Sequence, residues 1–127
     1  SLPFIASFLP MEHSAFTLGI RIETSGKIIT YCPDTGYCDN ALLLAKDADF
    51  LITECAYRTG ESHPEWPHLT PELAAKLALN SGAKKLVLTH FEAERYPDFA
   101  SRWQAEKEAR AIFPNAFASL DGMSFEI

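Results

Sequence analysis

"AKKLVLTHF", residues 83–91, sets two lysines before an apolar run, Leu86 to Thr89, and a histidine, His90, after it. The run has the composition of a buried strand. The segment just upstream is the clearest helix in the chain. Thr70 is a good N-cap, Pro71 suits the first helical position and Gly82 closes the end. Leu73, Ala74, Leu77 and Ala78 fall on one face at helical spacing. A helix that runs straight into an apolar strand is the repeating unit of an α/β fold. It leaves one question: why a strand this apolar ends on an imidazole.

Outward from this unit the same alternation continues. "FTLGIRIETSGKIITYCPD", residues 16–34, reads as two strands joined at "TSG" by a short hairpin turn. The first strand alternates Leu18, Ile20 and Ile22 with polar or small residues, so one face packs. The second carries consecutive apolar residues, as an interior strand does. "NALLLAKDA" predicts a short helix capped by Asp39 or Asn40. "DFLITECAY" predicts a strand, and "RTGESHPEWPH" a loop with two prolines and a glycine. A third helix is expected over roughly Phe99 to Phe113, presenting Phe99, Trp103, Ala109 and Ile112. One or two strands finish the chain. From Phe16 the order is β-β-α-β-α-β-α-β, with "SLPFIASFLPMEH" ahead of it reading as a strand that enters mid-fold.

The chain has 127 residues, 47% of them hydrophobic, enough for one domain with one core. No apolar run reaches the roughly 20 residues needed to span a bilayer. The first thirteen residues lack a basic n-region and are broken by Pro3 and Pro10, unlike a signal peptide. Ser1 is not a start residue, so further chain is expected upstream. A net charge of −6 argues against broad electrostatic capture of nucleic acid, though a small basic groove would not show in that sum. The three cysteines, Cys32, Cys38 and Cys55, are odd in number and irregular in spacing. That usage suits a reducing, cytoplasmic setting rather than a disulfide framework.

Four apolar strands end on an ionisable or metal-ligating residue: "SFLPMEH" at His13, "IITYCPD" at Asp34, "FLITE" at Glu54 and "LVLTH" at His90. In α/β sheets, ligands and catalytic groups gather beyond the C-terminal strand edges. His68 can join them from just before the Thr70 cap. Taken singly, each has an ordinary reading. His90 can bond backbone, Asp34 in "PDTG" can shape a turn, Glu54 can pair with Arg58, and His68 can simply neighbour a helix. His63 reads as ordinary surface. Taken together, two histidines and a carboxylate suit a dication such as zinc. An aspartate with two oxygens can bridge two ions, which suits two-metal hydrolysis, and a Glu–His pair beside them can move a proton.

"GIRI" after His13, "DTG" at 34–36, "LITEC" at 51–55, "HLT" at 68–70 and "LVLTH" at 86–90 occur in the order found in the metallo-β-lactamase-fold hydrolases. Over residues 8 to 98 the chain resembles the ribonuclease Z-like branch of that superfamily. The resemblance implies an α/β fold forming half of an αββα sandwich, with a mixed sheet and helices on one face. It implies that His13 and His90 ligate one metal each and that Asp34 bridges both. It makes Glu54 and His68 the proton-transfer pair at a scissile phosphate, with Zn2+, or Mn2+, as the dinuclear cofactor. Leu69 stands where many relatives carry serine. The family's "HxHxDH" motif is absent, so residues 1–127 read as a single unit, the C-terminal half of the fold. Three ligands over two metal positions leave each position short, and the chain alone is expected to be inactive. Its sheet would pair with the missing half or with a second copy.

The expected parent is therefore a metal-dependent phosphodiesterase, with RNA a substrate that the charge does not favour. The alternatives are a metallo-hydrolase of esters, lactams, thioesters or sulfate esters, a non-catalytic α/β interaction module, and a thiol redox protein using Cys32 and Cys38.

Overall fold

The computed structural model describes residues 3–127. Six strands and three helices follow one another as β1 (Ile5–Pro10), β2 (Leu18–Thr24), β3 (Lys27–Cys32), α1 (Asp39–Ala45), β4 (Phe50–Glu54), α2 (Pro71–Ser81), β5 (Leu86–Thr89), α3 (Phe99–Arg110) and β6 (Ala116–Ala118). The strands form one sheet in chain order, β1-β2-β3-β4-β5-β6. β1, β2 and β3 pair antiparallel, and β3 to β6 pair parallel. Each parallel step passes through one helix and moves the sheet one strand in the same direction. Right-handed crossovers of that kind place all three helices on the same face.

The register sorts side chains between two unlike faces. The row Arg21, Thr30, Leu51, Leu86 and Ala116 lies under the helices. Arg21 Nη1 and Thr30 Oγ1 both donate to the Leu44 carbonyl at the end of α1, each at 2.9 Å. Leu51, Leu77, Leu86, Leu88 and the small residues Ala41, Ala74 and Ala78 form the core here. The opposite face carries an apolar row that crosses every strand: Phe8, Ile20, Tyr31, Ile52, Val87 and Phe117. At its β4–β6 end Phe125 covers it, with ring centroids 5.3 Å from Phe50 and 5.6 Å from Phe117. At its β1–β3 end Phe8 and Tyr31 are exposed.

The α2 signals hold in detail. Thr70 Oγ1 accepts from Leu73 N at 3.2 Å, and Gly82 takes the left-handed conformation, φ 76°, that ends the helix. Three expectations need correction. The N-cap of α1 is Cys38, not Asp39 or Asn40, and no side chain caps it; Asp39 is already in the first turn. α3 stops at Arg110 and buries Ala105 and Ala109, while Phe99 and Trp103 are exposed. Trp103 and Ala105 are two residues apart, about 200° around the axis, so the aromatic pair could not share the buried face. His13 does not end a strand: β1 stops at Pro10, and His13 lies in the turn toward β2. Among the described residues no helix is long and apolar enough to cross a membrane.

Thr24 and Lys27 face each other across a two-residue turn in which Ser25 (φ 50°) and Gly26 (φ 73°) are both left-handed. That geometry matches the right-handed strand twist and favours Asn-Gly. Nothing lies within 4 Å of a Cβ built on Gly26, so its cost would be conformational alone. Gly26→Ala should destabilise the fold by ~1 kcal/mol, and Ser25→Asn should stabilise it, both read as shifts in the urea midpoint.

Candidate active site

Glu54, the last residue of β4, is fully buried on the bare face of the sheet. An apolar strand can end on a buried carboxylate only if both oxygens find donors. Oε1 accepts from Thr35 N at 3.1 Å and from His68 Nδ1 at 2.5 Å, and Oε2 accepts from Ala56 N at 2.8 Å. Burial pushes the Glu54 carboxyl up from its ordinary range; the Ala56 and Thr35 amides and His68 pull it back in part. Arg58, the partner in the ordinary reading of Glu54, instead donates to the Arg95 carbonyl. Glu54 therefore ties the loops after β3 and β4 to the loop before α2.

His68 donates from Nδ1 to this carboxylate, which leaves Nε2 as its free nitrogen. His13 is set the same way from the other side. Its Nδ1 lies 3.3 Å from the Pro67 carbonyl, an oxygen that can only accept. Nε2 of His13 is then the nitrogen facing Asp34 Oδ2, at 3.7 Å. Asp34 lies in the loop after β3, and its other oxygen, Oδ1, is 3.1 Å from His90 Nε2. The rings of His13 and His68 are 5.0 Å apart, and those of His68 and His90 6.2 Å. All five residues singled out in the sequence thus meet at one end of the sheet.

The opening question has a backbone answer. His90 follows β5 directly and has φ 52°, the left-handed region that few residues other than glycine enter. Histidine tolerates it better than most residues do, at a cost of about 1–2 kcal/mol. The turn swings the ring off the strand axis and back toward Asp34. Gly36 makes a second close approach possible. A Cβ there would lie 2.8 Å from Glu12 Oε2 and 2.9 Å from Pro67 Cβ, so the β3 and α2 loops pack against one another.

His13, Asp34, His68 and His90 line a cavity of about 420 Å³ with Ala56, Tyr57, Trp66, Phe91, Glu92 and Arg95, and Glu54 lies buried behind His68. Tyr57, Trp66 and Arg95 were missed in the sequence. A tryptophan between two prolines directly before His68, in "PEWPH", is the one signal that was there to read. Arg95 is not a free cation, because it pairs with both Glu61 and Glu92. Cys32 and Cys38 are free thiols, and burial pushes Cys32 up to about 12, away from thiolate chemistry.

A carboxylate whose two oxygens face two different imidazoles has the donor arrangement of a bridging ligand. Position one could draw on His13 and Asp34, position two on Asp34 and His90. Among the described residues no three of His, Cys, Asp and Glu are grouped to hold one ion. The donor set thus fits part of a two-position site, and each position needs further ligands.

The family model for the "Beta-lactamase superfamily domain" matches residues 6–91. The chain belongs to the metallo-β-lactamase superfamily. Within that superfamily it is 38% identical over 108 residues to the ribonuclease Z of Crocosphaera subtropica, covering 83% of this chain and 34% of the relative. The ribonuclease Z of Geobacillus kaustophilus is 38% identical over 104 residues, covering 80% of the chain and 33% of the relative. The chain spans about a third of the length of these relatives. Among solved structures, the metallo-beta-lactamase fold protein YhfI of Bacillus subtilis superposes with a TM-score of 0.81 at 26% identity, over 93% of this chain and 46% of that one. The short form of human tRNase Z gives 0.63 at 29% identity, over 74% and 38%. The sheet with helices on one face is half of the superfamily's αββα sandwich.

Glu54→Ala strands two buried amides and one imidazole, and should cost about 3–5 kcal/mol of stability. Glu54→Gln should cost less. A carboxyl raised in the folded state holds its proton more tightly there than in the unfolded chain. Its contribution is therefore present below the ordinary value of 4.5 and fades as pH rises through the higher folded value. Urea titrations against pH should show this slope in wild type and its loss in Glu54→Gln. His90→Gly should be more stable than His90→Ala by ~1 kcal/mol, since glycine relieves the left-handed backbone.

Proposed function

We propose that this chain is the C-terminal half, residues 1–127, of a metal-dependent hydrolase that cleaves a phosphodiester. The observation that carries the reading is the split of the Asp34 oxygens between His13 and His90, in one cavity with His68, whose ring Glu54 holds from behind. Similarity to ribonuclease Z supports a phosphodiester over the other esters and lactams of the superfamily. His13, Asp34 and His90 would hold the ions, Zn2+ or Mn2+, with the remaining ligands from the rest of the protein. Bound ions would supply charge stabilisation for the phosphoryl group and activation of the attacking water. The protein groups do the rest. Glu54 fixes the His68 ring and its tautomer. Nε2 of His68 is left to the cavity; as the imidazolium, with Nδ1–H on Glu54, the ring can hand its Nε2 proton to the departing oxygen and return to the neutral form. Tyr57 and the neighbouring imidazoles shield the pair from bulk water.

A second part of the proposal concerns the apolar row from Phe8 to Phe117. Six strands of apolar side chains rarely stay bare in water. We infer that this face packs on the remainder of the protein, in keeping with the much greater length of the ribonuclease Z relatives. The isolated chain should hydrolyse nothing measurable and should self-associate through this face. Replacing Phe8 and Ile20 by lysine should shift it toward monomer in sedimentation velocity runs.

The decisive experiment titrates Zn2+ or Mn2+ into the full-length protein while following hydrolysis of bis(p-nitrophenyl) phosphate. Activity with neither ion overturns the reading. Asp34→Ala should lower bound metal and reduce kcat/KM about a hundredfold or more. Unchanged metal content and rate would favour a non-catalytic module. His68→Ala should cost about 10²–10⁴ in kcat on a diester with a poor, alkoxide leaving group. The loss should be smaller with p-nitrophenolate, which departs without a proton.

A further inference from the structure

Three aromatic side chains line the cavity, and two have a face already occupied. The Arg95 guanidinium lies over Tyr57 at 4.7 Å, and His68 meets the same ring edgewise at 5.0 Å. Arg102 lies over Phe91 at 5.5 Å, and Tyr96 packs against it at 4.9 Å. Trp66 differs. Among the described residues its ring neighbour is His13, nearly perpendicular at 83° and 6.3 Å away, and no cation covers the indole. The side chain is 55% exposed. The backbone beneath it is nonetheless held firmly. Its carbonyl accepts from Tyr57 Oη at 2.8 Å, its N–H donates to the His63 carbonyl at 3.3 Å, and Pro67 follows it. A ring presented on a fixed backbone loses little further freedom when something stacks on it.

We propose that Trp66 is a stacking platform for a nucleobase attached to the scissile phosphate, and so a specificity-determining residue. The proposal rests on the phosphodiesterase reading. The cavity, at about 420 Å³, lies in the size range of sites that hold whole small molecules. A net charge of −6 gives this chain no broad long-range attraction for a nucleotide. Base stacking needs no charge and accepts any base, because every base has a π-face. The open indole face beside His13 supplies that kind of contact at the entrance to the proton-transfer pair.

The test uses the full-length, metal-loaded protein and two diesters with the same leaving group, thymidine 5′-(p-nitrophenyl) phosphate and methyl p-nitrophenyl phosphate. Trp66→Ala should lower the ratio of their kcat/KM values about tenfold, mainly through KM for the nucleoside diester, and Trp66→Phe should retain most of it. Titration with thymidine 5′-monophosphate should quench tryptophan emission saturably in a Trp103→Phe background, and adding Trp66→Phe should abolish that component. An unchanged ratio, an equal loss on both diesters, or the absence of Trp66-dependent quenching overturns the proposal. Saturable quenching with no hydrolysis of either diester overturns the phosphodiesterase reading and upholds the stacking site.

Discussion

The site depends on one buried carboxylate. Glu54 sits where β4 leaves the sheet, removed from water, and its two oxygens accept from the amides of Thr35 and Ala56 and from the ring of His68. A charge or a proton buried there without these donors would be strongly unfavourable. The three partners come from the β3–α1 loop, Thr35, and from the two ends of the β4–α2 loop, Ala56 and His68. Satisfying Glu54 therefore sets the positions of loops that would otherwise be free. Asp34 adjoins Thr35, and His68 is itself a partner, so both residues are placed by the same constraint.

The sheet supplies the second constraint. Parallel strands in sequential order bring the ends of β3, β4 and β5 to one edge, where Asp34, Glu54 and His90 emerge side by side. The antiparallel β1–β2 pair brings His13 to the same edge through the turn between those strands, closed by the 2.8 Å bond from Met11 N to the Thr17 carbonyl. The imidazoles are then oriented by acceptors rather than left to rotate: Pro67 for His13, Glu54 for His68. His90 is oriented by its own strained backbone. Such strain persists only where the surroundings over-determine the conformation, and His90 carries it at the cavity.

The same topology makes the two faces of the sheet unequal. Right-handed crossovers place every helix on one side, and the core of leucines and alanines forms there. The other side keeps an apolar row that Phe125 covers only near β4 to β6. Under the proposed function, the half-covered sheet and the two-ligand ion positions have one reading in common: both would be completed by chain outside this unit.

Much of the architecture was legible before the structure. The Thr70-Pro71 start and Gly82 stop of α2, the apolar runs of β3 to β5 and the Ser25-Gly26 turn are local signals, set by dihedral preferences and hydrophobic periodicity within a few residues. The ordered motifs around His13, Asp34, Glu54, His68 and His90 identified the candidate site for the same reason, since residue type and order are properties of the chain. What sequence could not supply depends on contacts between distant segments. Whether Phe99 and Trp103 are buried is decided by the direction α3 faces, which its neighbours set. The guanidiniums of Arg95 and Arg102 lie over Tyr57 and Phe91, whereas Trp66 has, among the described residues, only the His13 ring beside it, a difference that tertiary contacts decide. The split of the Asp34 oxygens between His13 and His90 is likewise fixed only when the loops after β1, β3 and β5 meet. The chain by itself determined which donors exist and which strand each follows; tertiary packing alone decided which atoms of those donors face one another, because that distance is set by the whole sheet and its loops.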